Sequence, residues 1–299
     1  MGLRTDHALV PPAAPAVVTV RLLVPGDEVE LDRFLDGHAD SSMFLRSNIR
    51  AGGVVDQGMP YQGRWFGAFD GERLTAVAMH AWNGNLIVQA DSTDGLPELV
   101  RATVTADKPV AGIIGPYAHV VATRTALGLD SRKANLENKE RLYALDLGKL
   151  IVPHGAVHVR PTRDDDLDLC ETWRIAYCQE ALSMPLEEAK ARARDDVERT
   201  HRRGDSFVLA DEGGTLVAYS AFNARVPDMV QVGGVWTPKE ERRHGHGRAV
   251  VAGSLVLARA LGVTRAILFT GEWNTPAQRA YEALGFERIG DFGLITFGA

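Results

Sequence analysis

The stretch "EERRHGHGRAVV", Glu240 to Val251, sets Gly245 and Gly247 one residue apart among Arg242, Arg243 and Arg248, just ahead of a long apolar run. A helix that begins here opens with backbone amides that lack an intrahelical acceptor and sit at the positive end of its dipole. Glycines let an anion come close to that backbone and the arginines add charge, so the pattern suits a phosphate or pyrophosphate. The Gly-Lys-Ser/Thr ending of a P-loop is absent. His244 and His246 raise the question of a metal, but the pattern supplies no acidic or cysteine partner at ligand spacing, and no metal is expected.

Such a loop must be held between a strand and a helix. The pattern predicts strands at Ser206 to Ala210, Thr215 to Val226 and Met229 to Thr237, the last ending at "GGVWTP", then a helix from about Arg248 to Gly262. A strand "RAILFT", a helix "TPAQRAYEALG" and final strands through "RIGDFGLITF" follow. Ahead of these stand a strand "AVHVRPT", a helix "DDDLDLCETWRIAYCQEAL" with aspartates at its start, and a highly charged helix "LEEAKARARDDVERTHRRG".

The first half repeats this plan. "VTVRLL" (Val18 to Leu23) parallels "VHVRPT" (Val157 to Thr162), and "FGAFDGERLTAVA" parallels "FVLADEGGTLVAYS", each a strand, an acidic-glycine turn and a strand. "RTALGL" (Arg124 to Leu129) parallels "YEALGF" (Tyr281 to Phe286), both reading as helix ends closed by a glycine. Between hairpin and last helix the first half is shorter, and it has no glycine pair where the second half has its loop. Pro153 and Gly155 mark a boundary. The expected organisation is a disordered lead-in over 1–16, one domain over 17–150 and another over 156–299.

A chain of 299 residues, 45% hydrophobic and 24% charged, holds more than one core of typical domain size. Its net charge of -6 disfavours binding to a phosphate backbone, so no nucleic acid is expected. Cys170 and Cys178 fall in one predicted helix, whose rise alone parts them by about 12 Å, too far for a disulfide. Free thiols suit a reducing compartment. The N-terminus lacks the pattern of a secretory signal, and the apolar run Ala249 to Ala258 is too short to span a bilayer, which takes about 20 residues. These features predict a cytoplasmic protein with no membrane association.

R-x-x-G-x-G at Arg242 to Gly247 after "VWTP", followed by a strand and by Asn274, Tyr281 and Gly285-Phe286, resembles the GCN5-related N-acetyltransferase (GNAT) superfamily, nearer its FR47-like branch. The likeness covers roughly Ala156 to Ala299. It implies an α/β (α+β) fold of tandem GNAT-like domains, each with a mixed, mostly antiparallel sheet flanked by helices. The activity it implies is acetyl transfer from acetyl-CoA, or another acyl-CoA, to a primary amine, with no metal. By the same resemblance the pyrophosphate lies on the amides of Arg243, His244, Gly245, His246, Gly247 and Arg248. Val235, Trp236 and Thr237 pair with the pantetheine arm where two strands splay apart, Asn274 contacts that arm, and Tyr281 sits beside the thioester sulfur. The first half resembles the same fold with its working parts removed: Tyr117 and Arg124 stand where the second half has Asn274 and Tyr281.

Direct transfer needs a neutral amine, an oxyanion site and a proton for the leaving sulfur. Tyr281 has a hydroxyl suited to the last task, and backbone N–H groups around Val235 to Thr237 suit the oxyanion. Histone-type relatives often carry a glutamate fourteen residues before the first motif glycine, where this chain has Gln231, and an amide cannot take the proton. Glu272, at the exit of "RAILFT", is the candidate base, with Asp228 and a water chain as alternatives. Trp173, Tyr177 and Glu180 are the candidate acceptor residues, suited to a small-molecule or peptide amine. The segments Ala39 to Arg50 and His80 to Asn85 are candidates for covering that pocket. The protein is expected as a monomer or homodimer, and a non-catalytic acyl-CoA sensor is the alternative function.

Overall fold

The computed structural model describes residues 18–298, so the lead-in over 1–16 lies outside the described residues. The first half runs β1 (Val18–Leu22), α1 (Glu28–Gly37), α2 (Met43–Gly52), β2 (Gly63–Asp70), β3 (Arg73–Ala81), β4 (Asn85–Ala90), α3 (Leu96–Thr103), β5 (Gly112–Pro116), α4 (Tyr117–Ala126) and β6 (Ala134–Asp146). The second half repeats the order as β7 (Val159–Pro161), α5 (Leu167–Ala181), α6 (Leu186–Arg202), β8 (Ser206–Ala210), β9 (Leu216–Val226), β10 (Met229–Trp236), α7 (His246–Ala260), β11 (Arg265–Gly271), α8 (Thr275–Glu282) and β12 (Glu287–Phe297). The helix predicted from Arg248 starts two residues earlier, because Gly245 supplies the left-handed turn that launches it.

Each half expects its own sheet, yet the structure has one sheet of 12 strands in the order β1-β2-β3-β4-β5-β12-β6-β11-β10-β9-β8-β7. The halves exchange their last strands. β6 of the first half lies antiparallel to β11, with Arg265 opposite Asp146 and Gly271 opposite Glu140. β12 of the second half lies antiparallel to β5, with Leu294 opposite Ile114. The two exchanged strands pair with each other at the centre. The expected boundary between 150 and 156 therefore divides the sequence but not the sheet.

Period-two alternation sends neighbouring residues of each strand to opposite faces. On one face, Tyr143, Leu145, Val230, Val232 and Leu268 pack under α7 and α8. On the other, Ala144, Met229 and Ile267 pack with Met43 and Phe44 of α2, and Tyr219 and Trp236 pack under α5 and α6. The predicted cover at Ala39 to Arg50 does reach the second half: Asp40 binds Arg265 through two bonds of 2.5 and 2.6 Å, and buried Arg46 bridges Asp36 and Asp228. The His80 to Asn85 turn stays within the first half, where Trp82 packs on Tyr61 and the core around Trp65. Among the described residues no helix is long and apolar enough to cross a membrane.

Candidate acyl-CoA site

Between β10 and α7 the chain makes a short 3-10 turn at Lys239–Glu241 and then passes through two left-handed residues, Arg243 at φ 71° and Gly245 at φ 84°. No side chain caps α7. None of the amides from Arg243 to Arg248 finds an acceptor among the described residues; the first helix bond is Ala249 N–H to the Gly245 carbonyl, 3.0 Å. A run of unspent donors at the positive end of a 15-residue helix has the chemistry to take an anion. At Gly247 a Cβ would stand 3.4 Å from Thr237 Oγ1, so the strand end and the helix start meet there.

The arginines divide. Arg242 turns back on the protein: its Nε donates to the Thr237 carbonyl at 3.0 Å, its Nη1 lies 2.8 Å from Glu180 Oε1, and its guanidinium lies 4.9 Å from the centre of the Trp236 ring. Arg243 and Arg248 have no carboxylate partner among the described residues. The histidines correct one expectation. Glu241 is an acidic partner at ligand distance, its Oε2 3.5 Å from His246 Nε2, and Glu241, His244 and His246 present ligand atoms within 4.8 Å of one another. Its place, three residues before His244, was a local signal that the reading of histidine spacing passed over.

β10 and β11 run parallel only from Met229–Gln231 against Arg265–Ile267. Beyond Gln231 the strands part, and the two bulges that β10 makes against β9 fall in the same stretch, at Gln231/Val232 and Gly233/Trp236. Gly234 adopts φ 61°, a conformation that favours glycine, and a Cβ there would stand 3.2 Å from Arg174 Nη1. Val235 packs on the core beneath α7, while Trp236 turns to the α5 face. Val235, Trp236 and Thr237 thus lie beyond the last pairing of β10 with β11, in a gap in the ladder.

Tyr281 of α8 packs on the same core as Val235. Its ring meets Phe286 edge-on at 6.1 Å, and its hydroxyl makes no hydrogen bond among the described residues. Burial pushes its pKa well up, with Tyr177 and Glu140 adding to the shift, so the phenol holds its proton at neutral pH. Asn274 caps α8: its Oδ1 accepts the Ala277 amide at 3.3 Å, leaving the amide nitrogen for another partner. Glu272 is exposed at the strand exit, 3.7 Å from Lys139 Nζ.

On the acceptor side, Trp173 is buried in the core under α5 and α6. Tyr177 is half-buried, edge-on to Trp236 at 6.5 Å and covered by Arg174 at 4.9 Å. Arg174 is itself fixed by Asp196, 2.7 Å away. Glu180 is spent on Arg242. The sequence reading missed Glu140, a first-half carboxylate that β6 carries into this region; its pairing with a strand some 130 residues away leaves no local trace. Gln231 is buried at the start of the splay with its side-chain oxygen unpartnered.

Residues 169–286 match the family model described as Acetyltransferase (GNAT) family. A curated mycothiol acetyltransferase of Thermobispora bispora is 29% identical over 296 residues, spanning 91% of this chain and 97% of that protein. Among solved structures, a Drosophila protein superposes with a TM-score of 0.64 at 12% identity, covering 93% of this chain and 98% of the other. A GCN5-related N-acetyltransferase of Kribbella flavida gives 0.54 at 17% identity, covering 86% and 94%. A tandem GNAT protein of the clavulanic acid biosynthesis pathway gives 0.51 at 14% identity, covering 93% and 97%. At these identities the three structures speak for the fold.

Proposed function

We propose that this chain, which these matches support as an N-acetyltransferase of the GNAT superfamily, moves an acetyl group from acetyl-CoA to a small primary amine by direct attack, using the loop and splay of its second half. The observation that carries the reading is the run of unspent amides from Arg243 to Arg248 beside a parted strand pair. In this reading those amides, with Arg243 and Arg248, hold the pyrophosphate. The open edge of β10 at Val235 to Thr237 holds the pantetheine arm and meets the oxyanion, and Asn274 offers its free amide N–H groups to that arm. Tyr281 gives its proton to the departing sulfur, which a phenol kept neutral by burial is suited to do.

The name of the Thermobispora relative favours a small-molecule acceptor over a protein one. In this reading Tyr177 gives the acceptor side an aromatic wall, with Trp173 in the core behind it. The first half is read as a degenerate copy that binds no CoA: α3, the counterpart of α7, starts "LPEL", so a proline removes an amide where α7 offers one. One CoA per chain is expected. Membership of the FR47-like branch and a cytoplasmic location belong to the same reading. Gln231, where many relatives have a glutamate, favours a second reading, an acyl-CoA sensor without turnover. Incubation with acetyl-CoA and a set of amines, following thiol release, separates the two: tight binding without release with every amine sinks the enzyme.

A further inference from the structure

Four carboxylates are buried among the described residues: Glu140, Asp166, Asp196 and Asp205. Three are held by arginine. Asp166 takes Arg160 at 2.6 Å, Asp196 takes Arg174 at 2.7 Å and also Arg192 and Arg199, and Asp205 takes Arg203 at 2.9 Å and Arg225 at 3.2 Å. Glu140 has no cation. Its one partner is the Asn138 amide, 3.1 Å from Oε1. A buried carboxylate without a counter-charge costs several kcal/mol, and proteins ordinarily avoid the arrangement.

The exchanged strand sets where this carboxylate stands. Glu140 lies opposite Gly271 of β11 and Phe292 of β12. It shares strand parity with Leu142 and Ala144, which places it on the face that α2 and α5 cover. The side-chain position of Gly271 is taken by the Trp273 indole, whose Nε1 lies 2.5 Å from where a Cβ would stand. The titratable groups that sense it are Tyr177 from α5 and Tyr281 from α8. Arg174, over the Tyr177 ring, is the nearest cation on α5 and is committed to Asp196. The buried carboxylate without an arginine thus stands on the sheet face that also carries Ile267 and its partner Gln231, at the start of the splay.

We propose that Glu140, a residue of the first half, takes the proton that the acceptor amine loses in the second half's reaction. The inference rests on the transferase reading above. The acceptor enters as an ammonium, for which Glu140 is the missing counter-charge. Glu140 Oε accepts one proton from the ammonium, the neutral nitrogen forms the C–N bond and gives its second proton to solvent, the C–S bond breaks, and the sulfur takes the Tyr281 proton. Solvent then removes the proton from Glu140 and restores that of Tyr281. Burial lifts the Glu140 carboxyl above the usual carboxylate range, toward the basicity this task needs. The first half would then be kept in the enzyme because it supplies the base that Gln231 cannot be.

The test is Glu140→Gln in the full chain, with glucosamine, serine methyl ester and a lysine peptide as probe amines. Expected is a fall in kcat/KM of about 10²–10⁴, loss of the acidic limb of its pH profile, and acetyl-CoA affinity within twofold of wild type. A carboxyl whose pKa rises on folding favours the folded state when protonated and loses that contribution as pH rises, so the neutral amide should also raise the melting temperature at pH 7. Should the glutamine variant not fold, Glu140→Asp is read instead: the limb is retained and the rate falls. Wild-type turnover, or an unchanged acidic limb, in the folded glutamine variant overturns the role of Glu140 alone. Wild type that binds acetyl-CoA and acetylates none of the amines overturns the transferase reading and this proposal with it.

Discussion

The Arg242 guanidinium lies 2.8 Å from Glu180 and spans from α5 to the loop before α7, so an arginine that looks free in sequence is occupied in the fold. Arg243 and Arg248 are not so occupied. Arg243→Gln and Arg248→Gln should each weaken CoA binding by about 1.5–3 kcal/mol, the worth of a charged hydrogen bond. Arg242→Gln should act mainly on stability, through Trp236 and the stranded Glu180. Calorimetric titration of CoA against the three variants checks the ranking; equal losses would show that Arg242 leaves Glu180 for the phosphate.

Gly247 lies in the first turn of α7, and the atom nearest a Cβ there is Thr237 Oγ1 at 3.4 Å, an ordinary contact. Gly247→Ala should therefore fold and melt no lower than wild type, since alanine is the better helix former by about 1 kcal/mol. The added methyl should nevertheless cost at least about tenfold in CoA affinity by standing over the amides, about 1.4 kcal/mol. A folded variant with unchanged affinity removes the loop from the phosphate site.

Tyr281→Phe deletes a hydroxyl that makes no bond within the described protein. Turnover should fall about 10²–10⁴-fold while melting temperature and CoA affinity hold. A variant that keeps its rate and loses stability instead would assign Tyr281 to packing.

Asp196 sits among Arg174, Arg192 and Arg199, and these arginines outweigh its burial and bring its pKa down to about 2. A depressed carboxylate stabilises the fold above its unfolded pKa of 3.8 and loses that contribution as pH falls toward 2. Asp196→Asn should cost about 3–5 kcal/mol at pH 7, because it removes the buried partner of Arg174, whose side chain is only 13% exposed. The gap between variant and wild type should narrow below pH 4. Melting curves across pH 2–7 decide it; a gap independent of pH would mean that the arginines and not the carboxylate charge set the local stability.

Removal of residues 1–149 takes away β6, and with it the neighbour of both β11 and β12, which do not pair with each other. A chain starting at Leu150 should be insoluble or unfolded and bind no CoA, whereas one starting at Ala134 retains β6 and has a continuous sheet from β12 to β7. Circular dichroism and CoA titration of the two fragments test this. A folded, CoA-binding fragment from Leu150 would show that β11 and β12 can close on each other.

The parts of the site that lie close together in sequence were legible there. Gly245, Gly247 and the following helix form one local turn, and Asn274 and Tyr281 share one short helix; the repeated order of elements also follows from local patterns. What escaped was set by distance along the chain. Glu140 reads as one more charge in "ENKER", because its neighbours at Gly271 and Phe292 are supplied by the other half. Arg242, Arg243 and Arg248 are identical by type, and only Glu180, on a different helix, separates the first from the others. Glu272 satisfied a positional argument, but its exposure and Lys139 leave it an ordinary surface carboxylate.

The exchanged strands also fix an order in time. By Asp146 the ribosome has made every element of the first half, yet β5, paired on one edge with β4, finds the neighbour for its other edge only in residues 287–297. Across the roughly 140 residues between, at about 5–20 residues per second, the edge of β5 stays open for on the order of ten to thirty seconds. Sheet closure thus waits until residues 287–297 are made, and a stop before them leaves its wound in the half that was synthesised first.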